Sequence, residues 1–362
     1  MNEGTKKETI AVGISGGVDS SVAAYLLKQQ GYDVIGIFVK TWSPEWLPCT
    51  WVDEKRDAMR VCAALDIPFY FLDAEEAYKQ GVAEYMINEY RAGRTPNPDV
   101  LCNRVIKFGV LWNYAQTLGA TKIATGHYAH TDGVSLMKAV DPSKDQSYFL
   151  WMITQPELAH IMFPLGRLQK SEVRKIAEEA NLFTAVKKDS QGICFLGDVD
   201  MREFLSHYIE QKKGAVVDTE GCVLGEHDGV WFYTIGERHG FRITQKSVER
   251  PAYYVVGKDI ETNTLIVSDS VKDESSSGAD TVTVALREVN WHHRPSADKE
   301  YSGQIRYHGA LLNVTVVNDS TITLQTTEAL PVGQSVVMYE GNSVIGAGII
   351  DKVQNLSNSA IR

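Results

Sequence analysis

The chain has 362 residues, 44% of them hydrophobic, and a formal net charge of −10. This length and composition predict a soluble protein of two or three packed domains and exclude a disordered chain. The acidic balance disfavours nonspecific adhesion to a polyanion, so contact with nucleic acid must use local basic patches. No run approaches membrane-spanning length and the polar N-terminus lacks a targeting pattern, so we expect a cytoplasmic protein with no membrane partner.

The cysteines give no structural framework. Five is an odd number and none of the five forms a CxxC pair, so neither a disulfide framework nor a zinc ribbon is indicated. This pattern is typical of a reducing compartment. The five are Cys49, Cys62, Cys102, Cys194 and Cys222.

Strands and helices alternate over the first 200 residues. An apolar, β-branched run at 9–14 ends at a Gly-rich turn, and the helical spacing that follows closes at Gly31. Alternation of this kind predicts right-handed crossovers and a doubly wound parallel sheet with helices on both faces. Further strands are predicted at 32–40, 67–73 and 121–129, and further helices at 53–66, 74–93 and 103–119.

The pattern changes to short strands after about residue 200. The last amphipathic helix is predicted at 202–211, and the polar stretch at 273–280 indicates a linker. Beyond it, alternating segments recur at barrel-like spacing. We therefore predict an N-terminal α/β nucleotide domain at 1–200, a small mixed α+β domain at 201–275 and a C-terminal β-barrel at 276–362.

A Gly-rich loop, SGGVDSS at 15–21, lies between the first predicted strand and the first predicted helix. Backbone N–H groups and the helix dipole make such a turn an anion site, and the glycines let the backbone approach a phosphate. The loop lacks the lysine of the GxxxxGK[ST] motif. A plain turn with a helix cap is the alternative. The strand-to-helix context and the three serines favour the phosphate site.

Two cysteines lie in segments suited to chemistry. Cys102 follows RTPNPDVL at a predicted helix start, where N–H groups would stabilise a thiolate and Asp99 would supply proton transfer. Cys194 lies in KKDSQGICFLG, whose lysines could favour a thiolate or a persulfide. A packed structural cysteine is an equally good interpretation of either segment taken alone.

The SGGVDSS loop resembles that of the pyrophosphate-loop ATPases, which cut ATP between the α and β phosphates and transfer AMP to an oxygen. The further motifs GRTPNPDVLCN, TGHY, KDQSYF, RKIAE, KDSQGICF, GEHDG and VGQS follow in order. With them, nearly the whole chain resembles the bacterial tRNA-specific 2-thiouridylase (MnmA) family. That family converts the wobble uridine of certain tRNAs to 2-thiouridine, and the resemblance implies an N-terminal fold of the adenine-nucleotide alpha hydrolase kind.

The resemblance also implies roles for individual residues. It makes Cys102 the nucleophile, Cys194 the persulfide carrier and Asp99 the acid or base. It implies no metal ligands. The implied ATP-binding residues are Gly13, Ile14, Ser15, Gly16, Gly17, Val18, Asp19, Ser20, Val39 and Gly126. The implied tRNA-binding residues are Asn97, Pro98, Asp99, His127, Lys144, Asp145, Gln146, Arg306, Tyr307 and Gln334.

Chemistry explains why such an enzyme needs ATP. The C2 carbonyl of uracil is a poor electrophile, so its oxygen is first adenylated and pyrophosphate leaves into the loop. The Cys194 persulfide then replaces that oxygen, and Cys102 resolves the sulfur linkage. We expect Mg²⁺ with the ATP, and we expect tRNA and a persulfide donor or relay protein as partners. A cysteine-ligated iron–sulfur cluster stays open.

Several features depart from the family or allow other interpretations. Val39 stands where methionine is common, SPEWLPCTW at 43–51 is unusual, and GERHG at 236–240 differs from the usual GQRKG. His292 and His293 would alternate faces on a strand, which makes them a poor metal chelate. Two other functions stay open: a ligase that joins nitrogen to an adenylated carbonyl and needs neither thiol, and a nucleotide sensor without catalysis.

Overall fold

The computed structural model of the chain describes residues 7–47, 50–188, 199–244, 252–269, 280–297 and 299–355. The chain forms two compact units. The first unit consists of Met1–Ala83, Pro98–Asp198 and Glu340–Ile345. The second consists of Glu84–Asn97, Val199–Tyr339 and Gly346–Arg362.

Strands and helices alternate up to residue 188, as the sequence predicts. The strands are β1 (Thr9–Gly13), β2 (Asp33–Lys40), β3 (Phe69–Asp73), β4 (Lys122–Ala124), β5 (His130–Thr131), β6 (Leu136–Met137) and β7 (Ile161–Met162). The α-helices are α1 (Val18–Gln29), α2 (Trp51–Ala64), α3 (Glu75–Tyr78), α4 (Glu84–Arg91), α5 (Pro98–Leu101), α6 (Leu111–Thr117), α7 (Gln155–Leu158) and α8 (Lys170–Glu179). Lys79–Ala83 and Cys102–Val110 are π-helical, and Ser147–Phe149 and Phe183–Val186 are 3₁₀ turns.

The first unit is built on a parallel sheet of five strands in the order β3-β2-β1-β4-β7. This confirms the predicted doubly wound α/β fold. The central strand β1 pairs Val12 with Gly36 of β2 on one side and with Ala124 of β4 on the other. Its middle residues Ile10, Ala11 and Val12 are fully buried because helices cover the sheet. The strand β7 is not predicted from the sequence, because its two residues are too few to show a period.

The two long helices predicted at 74–93 and 103–119 are irregular. A π-helical turn separates α3 from α4, and the second helix begins at Pro98, so the predicted start next to Cys102 is wrong. Proline is favoured in the first turn because it has no N–H to donate. The π-helical segments touch, since a Cβ on Gly81 would lie 2.9 Å from Val105 Cγ1. Within the described ranges, no helix is long and apolar enough to cross a membrane.

Strands dominate from residue 199 onward. The helix predicted at 202–211 is shorter, α9 (Met201–Ser206), and its N-cap Asp200 accepts hydrogen bonds from two backbone N–H groups. The following strands are β8 (Gly214–Val217), β9 (Val223–His227), β10 (Arg242–Ile243), β11 (Tyr254–Asp259) and β12 (Thr264–Ser268). They form a mixed sheet in the order β10-β9-β8-β12-β11.

The remaining strands form a closed barrel. They are β13 (Asp280–Trp291), β14 (Glu300–Gln304), β15 (Leu312–Asn318), β16 (Thr321–Thr326), β17 (Ser335–Glu340) and β18 (Ser343–Asn355). Their order is β13-β16-β15-β14-β17-β18, and β13 also pairs with β18, which closes the ring. The predicted mixed domain and C-terminal barrel are thus confirmed as folds. The three domain boundaries stay predictions.

Gly36 in the middle of β2 generates a test of the sheet packing. A Cβ at this position would lie 2.4 Å from Cys62 Sγ of α2, so Gly36→Ala should lower the free energy of unfolding by about 1–3 kcal/mol. In a Cys62→Ala background the clash with Sγ disappears, although Ile14 Cγ1 at 3.1 Å stays close, and the same change should cost at least about 1 kcal/mol less. Urea unfolding of the four proteins measures this coupling. Equal costs in both backgrounds would contradict the packing described here.

Candidate nucleotide site and cysteine helix

The Gly-rich loop joins the carboxyl end of β1 to the start of α1. Gly16 has a φ of +75°, a left-handed conformation that favours glycine. Serine hydroxyls brace the loop: Ser15 N–H donates to Ser20 Oγ at 3.2 Å, and Ser21 Oγ donates to the Gly17 carbonyl at 2.7 Å. No side chain in the described part of the chain caps α1, so its first N–H groups are left for an anion or water.

Gly126 closes the other side of this site. β1 and β4 are neighbours where the strand order reverses, which is where open α/β sheets bind ligands. A Cβ on Gly126 would lie 2.7 Å from Ser20 N and 2.8 Å from the Asp19 carbonyl carbon, so only glycine fits. At this sheet edge lie the predicted ATP-binding residues Gly13, Ile14, Ser15, Gly16, Gly17, Val18, Asp19, Ser20, Val39 and Gly126.

A lysine from another helix neutralises the acidic residue of the loop. Lys170 Nζ, in the first turn of α8, lies 2.7 and 2.8 Å from the two carboxylate oxygens of Asp19. The Tyr128 hydroxyl donates to Asp19 Oδ1 at 2.9 Å. The site can therefore accept an anion without an uncompensated carboxylate in its wall. The sequence analysis did not single out Lys170, although it lies just before the RKIAE motif.

Lys187, from the segment that also contains Cys194, is tied to the loop. Its Nζ donates to the Gly16 carbonyl at 3.0 Å and lies 2.7 Å from Asp57 Oδ2. The hydrogen bond from Lys187 lowers the pKa of the Asp57 carboxyl. The sequence suggests that this lysine favours a thiolate, but in the structure its ammonium group contacts the Gly16 carbonyl of the loop and Asp57 of α2. Cys194 itself lies outside the described residues, as do Pro48 and Cys49 of the unusual 43–51 segment.

Cys102 lies inside a continuous helical stretch. α5 precedes it and the π-helical segment begins with it, so the thiol is one turn in from the helix start and only 2% exposed. Asp99 is three residues earlier and therefore faces the same side of the helix. Asn103 anchors this stretch, because its Nδ2 donates to the Phe149 carbonyl at 3.0 Å. The thiol and the carboxyl are thus placed as neighbours on one rigid element.

The side chains of KDQSYF, predicted to touch tRNA, brace the first unit. Asp145 Oδ1 accepts from the Ala139 N–H at 2.9 Å, and its Oδ2 accepts from Ser147 Oγ at 2.8 Å. Gln146 Oε1 accepts from the Tyr128 N–H at 3.0 Å. Lys144 is half-buried. These contacts link the TGHY turn to the segment that anchors Cys102.

His127, also predicted to touch tRNA, is buried between Phe108 and Phe163. Thr125 Oγ1 lies 2.7 Å from its Nδ1, and Lys107 Nζ lies 3.3 Å from its Nε2. An ammonium group only donates, so Nε2 accepts and Nδ1 carries the proton. Burial, aided by the Lys107 charge, lowers the pKa of His127 well below its usual value.

The second unit holds four further predicted tRNA-binding residues, Asn97, Arg306, Tyr307 and Gln334. Arg306 and Tyr307 are exposed, and the Tyr307 ring stacks on His308 at a centroid distance of 3.9 Å. Such an exposed aromatic and cationic pair can stack on a base. Gln334 differs, because its Nε2 donates to the Thr95 carbonyl at 2.9 Å and approaches the Pro96 carbonyl at 3.3 Å. Asn97, the next residue, is half-buried, and Pro98 and Asp99 begin α5 in the first unit.

A buried ion cluster, which the sequence analysis missed, lies next to this segment. Glu89 is 5% exposed and accepts from Arg94 Nε at 2.8 Å and Nη2 at 2.6 Å. Arg287 of β13 donates to the same carboxylate. Burial alone would raise the pKa of Glu89, but the Arg94 hydrogen bond and the Arg287 charge hold it below its usual value. The sequence shows only that Glu89 lies in a predicted helix, so it does not indicate Arg94 or Arg287 as its partners.

The described residues offer no obvious metal site. They contain no group of three or more His, Cys, Asp and Glu side chains that could hold a metal ion. Buried His292 and its half-buried neighbour His293 do not form one. Burial raises the pKa of Cys62 to about 11, so this cysteine stays a thiol and packs in the core. Of the two predicted active thiols only Cys102 lies within the described residues.

Family models match three successive stretches of the chain. The tRNA methyl transferase HUP domain matches residues 8–198, the tRNA methyl transferase PRC-barrel domain matches 202–269, and the aminomethyltransferase beta-barrel domain matches 281–350. Among solved structures, the U34-tRNA thiolase NcsA from Methanococcus maripaludis is 19% identical over 56% of this chain and 65% of its own, with a TM-score of 0.36. That likeness is too weak to inform function.

Curated relatives match at full length. The tRNA-specific 2-thiouridylase MnmA 2 of Geobacillus kaustophilus is 44% identical over 98% of this chain and 97% of its own. The tRNA-specific 2-thiouridylase MnmA of Streptococcus thermophilus is 45% identical over 96% of each chain. These names differ from the methyl transferase label of the family models. Full-length relatives are the better guide, because they cover all three matched stretches at once.

The buried environment of His127 generates a pH prediction. The pKa of this imidazole is depressed in the folded state, so the ring should stay neutral at pH 6, where an ordinary histidine is mostly protonated. The neutral ring stabilises the fold above the unfolded pKa, and this contribution is lost as pH falls. NMR titration of ¹⁵N-histidine-labelled protein, with His127→Gln to assign the signal, measures this. An ordinary titration near pH 6.5 would contradict the burial described here.

Proposed function

The chain belongs to the tRNA-specific 2-thiouridylase family, and from this premise we propose that it is a tRNA sulfurtransferase that forms 2-thiouridine at the wobble position, U34. The observation that carries the proposal is the Gly-rich loop at the β1–β4 switch point, backed by Gly126 and by the Asp19–Lys170 pair. This geometry suits the phosphates of ATP. It occurs in a chain that is 44% identical to a named thiouridylase over 98% of its length.

The first step in the proposal is adenylation. The O2 oxygen of uracil attacks the α-phosphorus of ATP, the bond to the β-phosphate oxygen breaks, and pyrophosphate departs. N–H groups of the loop and of the first turn of α1 would stabilise the charge of the departing phosphates. Mg²⁺ would arrive with ATP and screen its charge. Val39 and Gly126 would border the adenine.

The second step exchanges oxygen for sulfur. The terminal sulfur of a Cys194 persulfide attacks C2, and AMP leaves with the original oxygen. Cys102 then attacks Cys194 Sγ, which releases the thiocarbonyl of 2-thiouridine and leaves a Cys102–Cys194 disulfide. A dithiol reductant supplies two electrons to reopen it, and a persulfide donor or relay protein reloads Cys194.

Support for these roles comes from the described parts of both cysteine segments. Asp99 and Cys102 share one helical face, which suits proton transfer to or from the thiol. Lys187, seven residues before Cys194 in sequence, is bound to the Gly16 carbonyl of the loop. The flipped uridine would meet Asn97, Pro98 and Asp99, since a base must leave its stack before its carbonyl can react.

Replacing the two cysteines tests the thiol chemistry. Cys102→Ser and Cys194→Ser should each abolish 2-thiouridine formation, because a hydroxyl neither forms the persulfide nor the disulfide. ATP binding should persist. The matched control is Cys222→Ser, a change at an exposed cysteine, which should keep full activity. Mass spectrometry of tRNA nucleosides after reaction with ATP and a persulfide donor gives the readout. Thiolation at near-normal rates by either active-site variant would refute the scheme.

Gly126 tests the nucleotide site. Gly126→Ala places a methyl group 2.7 Å from Ser20 N, so the loop must shift and ATP affinity should fall at least ~10-fold. Gly119→Ala is the control on the other side of β4: nothing lies within 4 Å of its Cβ, so only its positive φ adds strain. Titration calorimetry with ATP measures both. An unchanged Kd in Gly126→Ala would place the nucleotide elsewhere.

A further inference from the structure

The segment Arg94–Pro96, which leads directly to Asn97, is held at almost every polar group. The Arg94 N–H donates to the Glu89 carbonyl at 2.9 Å, and the Thr95 N–H donates to the Val332 carbonyl at 2.9 Å. Gln334 Nε2 lies within hydrogen-bond distance of the carbonyls of both Thr95 and Pro96, to which it can donate. Pro96 has no N–H and a fixed φ. A short loop with this many anchors has little conformational freedom left.

The turn before β17 approaches this segment too closely for a side chain. Gly333 has a φ of +98°, and a Cβ there would lie 2.9 Å from both Thr95 N and Thr95 O. The Thr95 hydroxyl meets the Thr234 hydroxyl at 3.2 Å. The VGQS turn therefore holds Thr95 in place. The Val332 carbonyl accepts from the Thr95 N–H, Gly333 leaves room for the Thr95 backbone, and the Gln334 amide donates to the carbonyls.

The ion cluster fixes the other end of the segment. Glu89 holds the Arg94 guanidinium with two hydrogen bonds, and Arg287 of the barrel donates a further hydrogen bond to Oε2 of the same carboxylate. The Glu89 side chain is only 7% exposed, so losing either arginine partner would leave a buried carboxylate that water cannot easily solvate. Glu288 also pairs with Arg287, at 2.9 Å, but is 45% exposed. It therefore serves as a surface control.

We propose that Gln334 and Arg287 of the barrel are positioning residues, which act through Arg94–Pro96 on Asn97 and the residues that follow it in the chain. The amide nitrogen of Gln334 thereby holds protein backbone, because it meets the carbonyls of Thr95 and Pro96. A loop that is already fixed in its reactive conformation does not have to lose conformational entropy during the reaction step. A shift of about 1 Å in such a loop can lower the reaction rate ~100-fold. This inference rests on the proposed function.

Gln334→Met tests the inference, because methionine has nearly the same length and no donor. At saturating tRNA and ATP, the single-turnover rate of thiolation should fall at least ~10-fold, while the Kd for tRNA should change less than ~3-fold. Glu89→Gln should behave in the same way, and the control Glu288→Gln should leave both quantities unchanged. Hydrogen exchange of peptides covering 94–101 should speed up in the first two variants, with β13 and β16 unchanged.

The outcomes separate the two proposals. A rise in the Kd for tRNA with an unchanged saturated rate in Gln334→Met would make Gln334 an RNA contact and overturn the inference. Unchanged rate, Kd and exchange would overturn it as well. If the unaltered protein forms no 2-thiouridine, the proposed function fails. Faster exchange at 94–101 in Gln334→Met would even then support the anchoring of this segment by Gln334.

Discussion

The contact on which the candidate site depends is the backbone of Gly126 against the first turn of α1. The parallel pairing of β1 with β4 sets this distance, and the absence of a Cβ makes it possible. Because Ser20 and Asp19 are fixed from this side, the loop before them can place its N–H groups without help from a lysine of the P-loop kind.

In the first unit, lysines neutralise individual acidic side chains near the loop, although the chain as a whole is acidic. The net charge is −10, yet two acidic groups at the loop are each matched by a lysine: Asp19 by Lys170 and Asp57 by Lys187. Both lysines come from segments far from the loop in sequence, so the ion pairs also tie α8 and the region after it to the site. The pairs are partly exposed, and their worth lies in geometry more than in stability.

The sequence predicts those elements that depend only on neighbouring residues. The strand at 9–14, the Gly-rich turn and the following helix were visible because burial, glycine and helical spacing are properties of adjacent residues. The two-residue strand β7, the π-helical start at Cys102 and the partners of Glu89 were not, since each depends on contacts between distant segments. The same limit explains Gln334, Asp145 and His127. Their motifs mark them as important, but only the fold shows that their side chains face other protein groups.

Several motif residues of the first unit form hydrogen bonds that connect the nucleotide loop to the helix of Cys102. In the first unit, Gln146 holds the Tyr128 backbone while Tyr128 holds Asp19, and Asn103 holds Phe149 three residues after Gln146. The chain of contacts thus runs from the loop to the helix that carries Cys102 without leaving the KDQSYF and TGHY segments. Each link is a hydrogen bond with a partly or fully buried partner, and such a bond is costly to leave unmade. These hydrogen bonds all lie within the first unit, and they connect the nucleotide loop to the helix that carries Cys102.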